Sequence, residues 1–276
     1  MKRFNFFTQK KTSLILGGLL VLFYSCQKVV MIDVNNANQQ VVVQGNITNQ
    51  PGPYTVNLNY TTAYYNGNVF PPITGAGVQI YDNAGNAETL KETSQGIYKT
   101  DSLKGTPGRN YTLQVTANST VYTAVSVMAS PVLLDSVTVT PSINNKTNAI
   151  SGNRIRCYFK DPTGLGNFYR VVINSNDTAV VAPDTYRILS DKLTDGTQMS
   201  VSFRTTLVSK DTVKVQLQCI DKNTYDFYNT IGGAKGSAGV NQFLGALPAN
   251  PTNNISNKGL GYFAAYSVTT HTLIVP

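Results

Sequence analysis

The sequence predicts an all-β fold: two antiparallel β-sandwich domains, with one short helix in the second. Three observations carry this. Charged residues make up only 13% of the chain, while Thr, Tyr and Val, which suit strands, share it with Asn and Gly, which suit turns. Apolar and polar residues alternate in short runs, as they do along a half-buried strand. Breaker clusters of Gly, Pro, Asn and Ser separate those runs.

In the first half, strands are expected at 40–47 and 54–60, joined by the turn Asn49-Gln50-Pro51-Gly52. After a long polar and aromatic loop, strands at 78–81 and 88–92 flank Asp82-Asn83-Ala84-Gly85-Asn86. Strands at 96–100, 111–116 and 121–127 follow, with Pro107-Gly108 and Asn118-Ser119 as breakers. Seven short strands without a helical period fit one small sandwich over 39–128.

Ala129–Leu134 carries Pro131 and marks the crossing into a second sandwich over 135–276. Strands are expected at 135–140, 154–160, 168–174, 185–189, 198–204 and 212–220. One segment departs from alternation. Asp221 is placed as an N-cap, Tyr225, Tyr228 and Ile231 share a helix face, and Gly232-Gly233 forms a stop. Residues 232–258 read as a long irregular connection, and 262–275 as a closing strand in the interior of a sheet.

The N-terminus states an address. Lys10 and Lys11 close a basic region, and Leu14–Tyr24 is an apolar run that spans only about half the hydrocarbon thickness a helix must cross. Residues 1–25 therefore read as a secretory signal and 26–38 as a tether. Cys26, directly after Ser25, resembles the acylated first residue of a bacterial lipoprotein. Lys2, Arg3, Lys10 and Lys11 supply four of the formal +8, so the mature chain carries half that excess. It is scattered, which argues against nucleic acid as a partner.

Cys157 and Cys219 each lie on the apolar side of an alternating run. They form a disulfide, which an oxidising compartment permits, or stay buried as small hydrophobes. No metal site or other cofactor is expected, since His271 is the one histidine. A Ser hydrolase needs a base, and His271 reads as an ordinary strand residue between Thr270 and Thr272. Gly259-Leu260-Gly261-Tyr262-Phe263-Ala264 matches a dinucleotide motif only formally, lacking the strand before it and the helix after it. Asp161, Asp191, Asp195 and Asp221 fall in turn or cap contexts, with nothing to pair any two of them. The reading is non-enzymatic.

The loop from Tyr60 to Pro72 is too long for a hairpin turn and sets Tyr60, Tyr64, Tyr65 and Phe70 in polar surroundings. Tyrosine offers rigid area plus a hydroxyl, which suits a binding surface. The alternative is a loop folded back on its own sandwich as a satellite core.

The order of motifs resembles one family. Gln44-Gly45-Asn46-Ile47-Thr48, Phe70-Pro71-Pro72-Ile73-Thr74-Gly75-Ala76, Leu134-Asp135-Ser136-Val137, Ile220-Asp221-Lys222 and Gly261-Tyr262-Phe263 are similar to the lipoproteins grouped as domain of unknown function 4249 in the Bacteroidota. The resemblance implies Ig-like or carboxypeptidase-regulatory-like sandwiches, a palmitate-bearing outer-membrane anchor, and an accessory role beside a TonB-dependent transporter. It assigns no activity, so a surface glycan or peptide hydrolase and a structural envelope component stand as alternatives. Asp101-Ser102-Leu103, Asp135-Ser136-Val137, Asp177-Thr178-Ala179 and Asp211-Thr212-Val213 resemble the phylum's O-glycosylation acceptor, which makes Ser102, Ser136, Thr178 and Thr212 candidates.

Overall fold

Alternation decides which face each strand buries. In a computed structural model, residues 39–62, 69–143, 150–175, 178–179, 187–205, 207, 209–234 and 251–276 are described. The first strands are β1 (Val41–Thr48), β2 (Thr55–Tyr60), β3 (Gly77–Asp82), β4 (Ala87–Thr89) and β5 (Lys91–Ser94). They are followed by β6 (Ile97–Lys99), β7 (Asn110–Ala117) and β8 (Thr120–Val127). Then come β9 (Ser136–Ile143), β10 (Ile150–Lys160), β11 (Phe168–Ser175), β12 (Thr178–Ala179) and β13 (Arg187–Ser190). The last elements are β14 (Gln198–Thr205), β15 (Thr212–Ile220), helix α1 (Lys222–Ala234) and β16 (Leu260–Ile274).

One large sheet runs the length of the molecule in the order β12-β11-β15-β16-β1-β2-β6-β5, with β13 also on β11. Two small sheets, β4-β3-β7-β8 and β14-β10-β9, back it. Along β16, odd-numbered residues share a face. Phe263 and Ala265 enter the first core, and Leu273 packs on the second. Both small sheets thus lie on the same face of the large one. Helix α1 lies on the other, where the Phe227 ring meets that of Tyr262 at 4.3 Å.

Strand β16 is the reason the two sandwiches form one unit over Asn38–Pro276. Its first half pairs in parallel with β1, from Val42–Leu260 to Thr48–Tyr266. Its second half pairs antiparallel with β15, from Cys219–Ser267 to Thr212–Ile274. The division at 128/135 is therefore corrected: two cores exist, but Ile255, Phe263 and Ala265 belong to the first. Gly261 permits the close pairing of β16 with β1 near the start of the strand. Its φ is +100°, and a Cβ there would stand 1.9 Å from the Val43 carbonyl oxygen. The dinucleotide-like glycine thus serves backbone approach, not phosphate binding.

Two further expectations change. The single strand at 88–92 divides at Leu90: β4 pairs with β3 in the small sheet, while β5 pairs with β6 in the large one. Leu90, 5% exposed, fills the corner between them. The helix runs through Gly232-Gly233 to Ala234, beyond the expected stop. Among the described residues, no helix is long and apolar enough to cross a membrane.

Edge strand β8 would present open backbone groups. Segment 253–257 covers it: Ser256 N–H donates to the Thr123 carbonyl at 2.9 Å, and Asn254 Nδ2 to that of Val125 at 3.2 Å. A hydrogen-bond relay closes this seam. Ala265 N–H donates to Ser126 Oγ at 2.8 Å, and the Ser126 hydroxyl donates to Asp221 Oδ2 at 2.7 Å. Asp221 Oδ1 also accepts from Thr224 N–H at 2.8 Å, so the expected N-cap also latches the helix to the first sandwich.

Candidate functional site

The linker between the sandwiches is held against the second core rather than left free. Val132 N–H donates to Cys219 Sγ at 3.3 Å, and Thr269 Oγ1 donates to the Val132 carbonyl at 2.6 Å. Asp135 N–H donates to the Tyr158 carbonyl at 2.8 Å. Pinned at these points, the linker forms one wall of a cleft at the waist of the molecule, about 810 Å³ in volume. Val132, Leu133 and Phe168 give it apolar surface, while Lys160, Asp161 and Asp135 give it charge. Its size falls in the range of small-ligand sites, and its lining is an open mixture of polar and apolar groups.

The opposite wall is formed by loop 161–167 with Gly196, and carboxylates tie that loop to loop 191–197 behind it. Asp161 Oδ2 accepts from Gly196 N–H at 3.0 Å, and Oδ1 accepts from the Tyr169 hydroxyl. Asp191 Oδ2 accepts from Gly166 and Asn167 N–H at 2.8 and 2.9 Å. Asp195 Oδ1 accepts from Gly164 N–H at 2.7 Å. Each acid thus bonds the other loop, or the start of the strand after it, through donors that only a turn exposes. Oxygens of Asp161, Asp191 and Asp195 all lie within 4.8 Å of one another.

Sequence reading gave these three no partnership. They are 34 residues apart at most, and only strand pairing brings their turns together. Spacing gives no signal for it. Among the described residues they are the group that could hold a cation. Four backbone N–H groups and one phenol already engage them and offset their mutual repulsion. Burial and the bond to Asp161 push the Tyr169 hydroxyl well above the usual tyrosine range. Asp221 stands apart as the helix cap.

Cys157 lies on β10 in the small sheet and Cys219 on β15 in the large one; both are buried and both are free thiols. The disulfide alternative is thus set aside, the two acting as small hydrophobes of the second core. Burial pushes Cys157 up to about 12, and it raises Cys219 as well. Such thiols are poor nucleophiles. His271 sits opposite Val215, partly buried.

The aromatic loop divides between its two readings. Its base is clamped, with Tyr60 N–H donating to the Pro71 carbonyl at 2.8 Å and Thr61 N–H to that of Gln40 at 2.9 Å. The Tyr60 ring packs on the first core and its hydroxyl accepts from Asn118 Nδ2, so Tyr60 is satellite core. Phe70 is 54% exposed and belongs to the surface. Tyr64, Tyr65 and Cys26 lie outside the described residues. Of the acceptor candidates, Ser102 and Ser136 are exposed, with the Ser102 hydroxyl donating to Glu88 at 3.3 Å. Thr212 is exposed at the start of β15, and Thr178 lies in β12.

Fold and site together define a two-lobed all-β protein with a cleft at the waist. The chain belongs to the family described as domain of unknown function (DUF4249), whose model matches residues 27–272. No curated protein sequence matches it. Among solved structures it is similar to a two fibronectin type-III domain segment from chicken tenascin, at 13% identity and a TM-score of 0.21. That match covers 66% of this chain and 91% of the other. The fold assignment rests on strand order and the two cores.

Proposed function

We propose that the mature chain is a non-enzymatic lipoprotein of a Bacteroidota outer membrane, acylated at Cys26, that binds on behalf of a TonB-dependent transporter. The observation that carries the binding role is the waist cleft. The Asp161 carboxylate in its wall already accepts from Gly196 N–H and the Tyr169 hydroxyl, and its linker wall offers Leu133, 72% exposed, as apolar surface. A cleft so lined favours holding a ligand or a partner segment over turning one over. The address rests on the signal at 1–25 and on Cys26.

Two measurements test this. Cys26→Ala should remove acylation and release the protein from the membrane fraction; retention with continued labelling by a palmitate analogue refutes the anchor. Leu133→Arg should reduce copurification of the barrel while leaving the melting temperature unchanged. Unaltered copurification refutes the cleft as the binding site.

One observation favours a second reading. Oxygens of Asp161, which lines the cleft, and of Asp191 and Asp195 behind it lie within 4.8 Å of one another. Retaining glycosidases hold their two carboxyl groups about 5 Å apart. Release of sugar from surface glycans by the wild type, abolished in Asp195→Asn, would establish a hydrolase instead.

A further inference from the structure

Three turns meet where the described chain begins. Gln40 N–H donates to Thr61 Oγ1 at 2.9 Å, which fixes the aromatic loop beside the point where the tether enters. Gln40 Nε2 donates to the Lys258 carbonyl at 3.4 Å, and Asn257 Nδ2 to the Val121 carbonyl at 2.6 Å. Asn118 Nδ2 reaches the Tyr60 hydroxyl from the β7–β8 turn. This end of the first sandwich is therefore one built surface, and its apolar groups point outward. Val69 is 72% exposed, Phe70 54% and Val121 41%. Lys258 is the charge on these turns, and none of their described residues is acidic.

We infer that this end is the membrane-facing surface of the protein, with Val69 and Phe70 seated in the lipid headgroup layer. The inference rests on the Cys26 anchor proposed above. Two features select lipid as the occupant. The acyl-bearing residue is joined to this same end by only the residues between Cys26 and Gln39, whose full extension is at most about 45 Å. The surface also pairs aromatic and aliphatic side chains with a lysine and no carboxylate, a combination that suits an interface with anionic headgroups. An acyl chain and an apolar protein contact side by side act as two membrane signals, which together fix orientation as well as attachment. In that orientation the waist cleft, at the Ile220 end of β15, is held away from the bilayer.

The chain contains no tryptophan, so Phe70→Trp introduces a lone reporter. The lipidated variant is reconstituted into phosphatidylethanolamine–phosphatidylglycerol vesicles and its emission compared with that in detergent-free buffer after removal of the lipid. Leu193→Trp, at a position 93% exposed in the cleft's loop, is the control. The expected result is flotation with the vesicles, a blue shift for Phe70→Trp, quenching by a shallow doxyl-labelled lipid, and neither change for Leu193→Trp. Flotation without a shift overturns the membrane-facing surface and leaves the anchor standing. Failure to float overturns both. A shift that appears only when the transporter barrel is added overturns the inference in favour of a protein contact. Should Phe70→Trp lower the melting temperature, Val69→Trp provides the same readout.

Discussion

The Val43 carbonyl oxygen occupies the place, 1.9 Å away, where any side chain on Gly261 would begin. That close approach lets the start of β16 pair in parallel with β1, the same strand that goes on to pair with β15 from Ser267. A side chain there would disturb the pairing that carries β16 through the middle of the large sheet.

Gly261→Ala should therefore cost about 3 kcal/mol or more, from overpacking added to a positive φ that alanine resists. Calorimetry should show one transition moved to lower temperature. Two separate transitions, with the second lobe unmoved, would show that the lobes fold independently.

Asp221→Ala removes a helix cap and also leaves Ser126 and Val127 N–H without their acceptor. The expected loss is about 2–4 kcal/mol by chemical denaturation. Asp221→Asn, which still caps, should lose less. Equal losses would mean that the cap contributes nothing, and no loss in Asp221→Asn would mean that the charged latch to β8 contributes nothing.

Asp82 supplies the pH dependence. Burial alone would raise its carboxyl, but bonds from Asn86, Arg109 and Ala84 outweigh that and hold it at about 2, against 3.8 for the open chain. Because the folded value is the lower one, this contribution is complete above about pH 4 and is lost as pH falls toward 2. Asp82→Asn should flatten the acid limb of stability between those values and lower the unfolding free energy at neutral pH by about 1–2 kcal/mol. An acid limb identical to wild type would contradict the assignment.

Thiols at Cys157 and Cys219 should both resist a disulfide-exchange reagent at pH 8 in the native protein and both react once it is unfolded. A reductant should leave the melting temperature unchanged. A drop on reduction would show that the two are bonded.

The sequence by itself determined strand identity, because a period of two in apolar residues is local and each run carries it within eight or so positions. The Asp221 cap was legible from a short polar residue ahead of a helical period, and the interior place of the last strand from its sustained apolar-polar run. The division at Pro131, by contrast, missed that Ile255, Phe263 and Ala265 join the first core. Strand 88–92 misled because its alternation is continuous through Leu90, and alternation says which face is buried without saying which sheet supplies the neighbour. The tertiary structure alone decided partnership. Parallel pairing of β1 with β16 joins residues more than 200 apart, Asp161 meets Asp191 and Asp195 through two turns, and Gln40 bonds Thr61 at the base of the aromatic loop. Such contacts follow from global closure of the sheet. No window of sequence short enough to read contains both members of the pair.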